Sequence, residues 1–249
     1  FHAADIGRGQ RFGIGVPDIR SGSVWVHAVS VGEVQAAAPL IKALKERFRS
    51  LDVVVTTVTP TGAERLRRLF GDEVVHCLAP FETPGAVRRF FDRIRPVLAV
   101  IIETELWPNL YAECGRRRVP LVLASARRSA RSVARYRHLT PLFREALSHG
   151  IIIAAQSEQD AQRFRDLGAA PARTFVTGNI KFDVEIDEGL VARGREFAAD
   201  YFPGRRVWIA ASTHAGEEEI VLAAHRRLLE SVPDALLVLV PRHPERFPA

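Results

Sequence analysis

The stretch VWVHAVSVGEVQAAAPLIKALKERF, residues 24–48, decides the fold. It opens with a short apolar run containing three valines and a tryptophan, passes through Ser30, Gly32 and Glu33, and continues with apolar residues at helical spacing. A strand at 24–29 followed by a helix at 34–48 is one βα unit. The same alternation recurs along the chain. Strands are expected at 24–29, 51–57, 74–78, 97–102, 121–124, 151–155 and 174–177, with helices at 34–48, 63–70, 85–94, 142–148 and 158–167, the last closed by Gly168. Repeated βα units build a parallel sheet with helices on both faces, an α/β domain of the doubly wound kind. From Gly178 the pattern changes to Gly-Asn-Ile-Lys-Phe-Asp, a hinge. A helix at 188–201 and strands at 207–211 and 235–240 then begin a second domain. The expected division is 1–177 and 178–249, the second part incomplete because two strands cannot close a doubly wound sheet.

Of the 249 residues, 47% are hydrophobic and 26% charged, which excludes a disordered chain. Lys and Arg total 35 against 29 Asp and Glu, a formal charge of +6 that suits anionic partners. Two cysteines, Cys77 and Cys114, make no disulfide framework and stand in no metal-binding spacing. No apolar run reaches the roughly 18 residues of a membrane-spanning helix. The absence of methionine, the opening on Phe1 and the stop soon after a strand suggest a chain cut at both ends, inactive and unstable alone.

Five places carry chemistry. Ser30 and Glu33 follow the first strand, where open α/β sheets bind ligands. Ser30-x-x-Glu33 is also a capping box, in which each side chain satisfies a backbone donor of the other. The same Glu33, near the positive end of a helix dipole, is suited to act as a general base. Glu103-Thr104-Glu105-Leu106-Trp107-Pro108-Asn109 sets two carboxylates beyond the 97–102 strand, and Glu105 or Thr104 is a candidate cap for the next helix. Arg127, Arg131 and Arg135 are spaced four apart, so on a helix they share one face, either solvated or turned to phosphate or anionic lipid. Ser212, Thr213, His214 and Gly216 form a strand-to-helix turn with two readings: free backbone N–H groups for a phosphate, or N-capping by Ser212 or Thr213. Arg242 and His243 end the last strand, and a guanidinium there suits a phosphate. Neither a Walker A motif nor a dinucleotide fingerprint occurs.

Taken in order, HAVSVGE, TTVTPTG, ETELWPN, YRHL, VTGNIKFD, ASTHAGEEE and PRHPERF resemble the Kdo transferase family from Arg11 to Phe247. Its members move 3-deoxy-D-manno-octulosonic acid (Kdo) from CMP-Kdo to a lipid A precursor in Gram-negative lipopolysaccharide synthesis. The resemblance implies a GT-B fold of two Rossmann-like domains, the acceptor on the first and the nucleotide sugar on the second. It implies inverting transfer with no cofactor and no metal. It assigns Glu33 as base, with Glu103 or Glu105 in support. Ser212, Thr213, His214, Gly216, Arg242 and His243 would bind CMP, and Ser30, Gly32, Arg127, Arg131, Arg135 and Lys181 would lie on the acceptor or membrane side. The implied location is the cytoplasmic face of the inner membrane, reached peripherally or through an N-terminal anchor, with an anionic lipid surface as partner. A UDP-sugar transferase or epimerase of similar layout is the rival enzyme; ETELWPN speaks against it. No nucleic-acid-binding pattern accompanies the basic charge.

Overall fold

The computed structural model describes residues 9–19, 21–103, 107–127, 150–183, 188–243 and 246. The chain forms two compact units, Phe1–Val184 and Glu185–Ala249. The expected helix at 142–148, together with Thr104, Glu105, Arg131 and Arg135, lies outside the described residues.

The first unit is built on β1 (Ser23–His27), α1 (Val31–Arg47), β2 (Asp52–Thr57), α2 (Pro60–Phe70), β3 (Val75–Leu78), α3 (Pro84–Ile94) and β4 (Pro96–Ile102). There follow α4 (Pro108–Arg117), β5 (Leu121–Ala126), β6 (Ile152–Ala155), α5 (Glu158–Asp166) and β7 (Thr174–Val176). All seven strands are parallel, in the order β3-β2-β1-β4-β5-β6-β7. Side chains alternate between the faces of a strand, and the core divides accordingly. Val24 and Val26 pack with Val34, Ile41, Leu66 and Phe70 of α1 and α2. Trp25 packs with Phe90, Phe91, Leu110, Tyr111 and Phe164 of α3, α4 and α5. Buried on both faces, these strands read as near-continuous apolar runs, as parallel sheets do.

The order of strands also opens a crevice. The chain winds from β1 outward through β2 to β3, returns to the other side of β1 at β4, and winds outward again. Between β1 and β4 the direction reverses, and the helices that follow these two strands leave on opposite faces. The crevice so opened beyond the carboxyl ends is where open α/β sheets bind ligands.

Unit boundaries follow the packing. The segment after β7 stays with the first unit: Thr177 N–H donates to Ala155 O (2.9 Å), and the 3-10 turn Ile180–Phe182 packs against α1. The second unit contains α6 (Glu188–Tyr201), β8 (Arg206–Thr213), α7 (Glu217–Ser231) and β9 (Ala235–Pro241), with β8 and β9 parallel. Among its described residues only Thr213 and Ala235 are buried, and Ile209 of β8 is 62% exposed.

Candidate active site

Glu33 sits in the first turn of α1, which begins at Val31; β1 ends at His27. The strand thus ends two residues earlier and the helix begins three residues earlier than the sequence suggested, with Val31, Gly32 and Glu33 already forming helix. Ser30 is the N-cap and accepts from Glu33 N–H at a long 3.5 Å. The reciprocal half of the expected box is changed. Glu33 Oε2 accepts from Val29 N–H (2.7 Å), one residue before the cap, and Ser30 Oγ–H donates to Glu33 Oε1 (3.1 Å). Each carboxylate oxygen therefore takes a hydrogen bond, which fixes the direction of the carboxylate. Glu33 is half-buried, while Gly32 and Val31 are exposed beside it.

The motif TTVTPTG has a structural reason. Val58 N–H (3.1 Å), Thr59 N–H (3.3 Å) and Thr59 Oγ–H (3.4 Å) all donate to Val29 O, fixing the peptide whose neighbouring N–H holds Glu33. Thr59 also caps α2 by accepting from Gly62 N–H (3.1 Å). A Cβ on Gly62 would stand 2.9 Å from Thr59 Oγ1 and 3.3 Å from the Ser30 carbonyl carbon. Gly62→Ala is therefore expected to push the Val29–Ser30 turn aside. The variant should lose about 1 to 3 kcal/mol of stability and roughly 10- to 100-fold in turnover, with donor affinity kept. Melting temperature and steady-state kinetics check this; wild-type turnover in Gly62→Ala would contradict it.

Across the crevice, β4 is followed by Glu103, which adopts a left-handed backbone (φ 61°) and is only 6% exposed. Its Oε1 pairs with Lys181 Nζ (2.6 Å) and its Oε2 with Arg127 Nη2 (3.2 Å). Ser125, at the end of β5, is also left-handed (φ 53°) and buried; its Oγ accepts from Gln156 Nε2 (3.1 Å) and Ile180 N–H (3.2 Å). The strand ends thus gather Glu33, Glu103, Arg127 and Lys181 at the carboxyl edge, Lys181 on the turn that packs against the Glu33 helix. Backbone strain of this kind collects at functional sites.

The cap of α4 was not legible. Trp107 occupies the N-cap with no side-chain bond, and Glu82, from the loop before α3, supplies the acceptor: its Oε1 takes Asn109 N–H (2.6 Å) and Leu110 N–H (3.3 Å). Burial holds the Glu82 carboxyl above its usual range. His27 is fully buried, its Nδ1 2.8 Å from Thr56 Oγ1, and its pKa is lowered to about 4 chiefly by desolvation. An ordinary histidine titrates near 6.5. Below that pH the unfolded chain takes up a proton that the folded one refuses. The contribution is complete above about pH 6.5 and falls by roughly 3 kcal/mol by about pH 4. The imidazole resonances of His27 should titrate near pH 4; titration near 6.5 would contradict this.

In the second unit, β8 turns through Ser212 (φ 60°) into α7, whose N-cap is Gly216 (φ 90°). Neither Ser212 nor Thr213 caps the helix, because the turn closes on itself: His214 N–H donates to Glu217 Oε2 (2.7 Å) and Glu217 N–H to His214 O (3.0 Å). The His214 N–H is thus already taken by a side-chain carboxylate. Arg242 N–H donates to Thr213 O (2.9 Å), and the imidazoles of His214 and His243 meet edge to face at 6.1 Å. The two motifs therefore converge. Sequence reasoning missed Arg246, whose Nη1 pairs with Glu218 Oε1 (2.8 Å) and, mainly through that bond, holds the carboxyl down at about 2. The buried Thr213 hydroxyl has no well-aligned partner, although it lies close enough to Glu218 to favour its charged form. No group of three or more His, Cys, Asp or Glu among the described residues is placed to hold a metal ion.

Residues 7–184 match the family described as 3-deoxy-D-manno-octulosonic-acid transferase (kdotransferase). The chain belongs to the Kdo transferase family. It is 43% identical over 224 residues to a 3-deoxy-D-manno-octulosonic acid transferase of Haemophilus influenzae, covering 90% of this chain and 52% of that protein. A 3-deoxy-D-manno-octulosonic acid transferase of Bordetella pertussis is 40% identical, with 95% and 56% covered. The chain spans about half the length of the curated relatives it matches. Among solved structures it resembles UDP-GlcNAc 2-epimerase from Neisseria meningitidis bound to UDP-GlcNAc, with a TM-score of 0.63. That match is 13% identical and covers 87% of this chain and 64% of the epimerase, a likeness of fold alone. No helix among the described residues is long and apolar enough to cross a membrane.

Proposed function

We propose that the protein containing this chain transfers Kdo from CMP-Kdo to a lipid A precursor, with inversion and without a metal. The observation that carries this reading is Glu33: an oriented carboxylate at a helix N-terminus beside the strand reversal, in a chain of the Kdo transferase family. Glu33 takes the proton of the acceptor's primary hydroxyl as that oxygen bonds to the anomeric carbon of Kdo. The bond from this carbon to the CMP phosphate breaks, and CMP leaves with its electron pair. In the second unit Arg242, His243, Ser212, Thr213, His214 and Gly216 receive the nucleotide, their positive charge and hydroxyls offsetting the charge that develops on the phosphate. Glu103, paired with a cation at each oxygen, positions Arg127 and Lys181, cations suited to an acceptor phosphate or an anionic membrane surface.

The test is release of CMP from CMP-Kdo by the full-length protein. Release that depends on added lipid A precursor supports the proposal. Turnover of a UDP-sugar, with CMP-Kdo left intact, would overturn it.

A further inference from the structure

Among the described residues of the first unit, three buried side-chain atoms have no hydrogen-bond partner: His27 Nε2, Glu82 Oε2 and Trp107 Nε1. They belong to one neighbourhood. The rings of His27 and Trp107 meet edge to face at 5.6 Å, and Glu82 caps the helix that Trp107 begins. Arg11 closes the circle. Its guanidinium lies over the Phe81 ring at 4.5 Å, beside Glu82 in sequence, and its charge acts on His27. This guanidinium is half-buried, and no carboxylate or hydrogen-bond acceptor among the described residues meets it. Buried polar groups in folded proteins are almost always satisfied, and each one left unmet costs roughly 1 to 3 kcal/mol. Three such atoms and an unpaired cation, gathered at the end of β1 on the face opposite α1, call for a common partner.

Their chemistry defines that partner. Trp107 Nε1 only donates, and Glu82 Oε2 accepts when ionised. His27 Nε2 does one or the other according to its tautomer. Hydroxyl groups satisfy all three because each both donates and accepts. The Arg11 guanidinium adds a requirement for an acid group, phosphate or carboxylate. We propose that Arg11, His27, Glu82 and Trp107 form a subsite for a hydroxyl-bearing acidic sugar unit, on the wall of the β1/β4 crevice across from Glu33. This deepens the transfer reading and rests on it for the identity of the sugar. The unit is either a phosphorylated glucosamine of the acceptor or the Kdo of the donor, whose acid group is a carboxylate.

The experiment uses the full-length protein with Arg11→Gln and Trp107→Phe, which remove the cation and the indole N–H while keeping most of the side-chain volume. Equal melting temperatures establish that both variants fold. The expected result is about a 10-fold rise in one KM, as expected for a lost hydrogen bond to a charged partner, with kcat changed far less. A rise in the KM for lipid A precursor assigns the subsite to the acceptor, and a rise for CMP-Kdo assigns it to the donor sugar. Equilibrium binding of glucosamine 1-phosphate gives a readout independent of turnover. Weaker binding by the variants supports the subsite even if the wild-type protein transfers no Kdo, an outcome that would sink only the transfer reading. Wild-type KM values for both substrates in both variants, with unchanged binding of glucosamine 1-phosphate, would overturn the subsite.

Discussion

Glu33→Gln is expected to lower turnover by roughly 10² to 10⁴-fold while leaving the fold and the affinity for CMP-Kdo in place. The substitution separates the two roles that the sequence left open. Glutamine accepts hydrogen bonds through its amide oxygen, so it retains a bond to Val29 N–H or Ser30 Oγ–H, and as a capping side chain it is nearly equivalent. Capping contributes about 1 kcal/mol, and most of that survives the change. An amide cannot take a proton from the acceptor hydroxyl. If Glu33 only caps α1, melting temperature and turnover both stay near wild type; if it is the base, only turnover falls. Melting, donor affinity and turnover measured on the same samples decide between them. Near-normal turnover would move the search for the base to Glu103 and Glu105.

The second large effect is expected at Glu103 and is of another kind. Removing one partner from a buried ion pair costs about 3 to 5 kcal/mol. Here the cations are about half exposed and recover part of that cost from water, so Glu103→Gln is expected to lose about 2 kcal/mol. Turnover should fall as well, by roughly 100-fold, because Lys181 lies on the turn that packs against the Glu33 helix. Adding Lys181→Met to Glu103→Gln should cost less than the sum of the single changes, since both remove the same pair. Strict additivity, or a wild-type melting temperature for Glu103→Gln, would show that the ion pairs hold nothing in place.

Much of this architecture was legible because its signals are local. The helix Glu188–Tyr201 has the bounds expected from its pattern, and every strand end falls within two residues of its expected position, the furthest runs into the turns being at Ala126 and Thr213. Apolar β-branched runs bounded by Gly, Pro and polar residues need no distant information. Ser30 and Glu33 were found because a strand-to-helix turn leaves a mark in four consecutive residues. What stayed hidden depends on partners far apart in sequence. Glu82 caps a helix beyond all of α3 and β4, Glu103 meets Arg127 from the end of β5 and Lys181 from the turn after β7, and Arg246 anchors the turn after β8. Nor does a sequence reveal left-handed backbone at Glu103, Ser125 or Ser212, where glycine would be the ordinary choice. The Glu217 carboxylate on the His214 N–H is a local contact, but a run of three glutamates does not say which one turns back.

The acceptor's reacting hydroxyl is expected to lie in the β1/β4 crevice, between the starts of α1 and α4. The most direct measurement is photo-crosslinking of the full-length protein with a lipid A precursor carrying a diazirine next to its primary hydroxyl, followed by mapping of the labelled peptides. The account predicts label within residues 27–34 and 107–111, competed away by unmodified acceptor. Competed label confined to the opposite, amino-terminal edge of the sheet would contradict it.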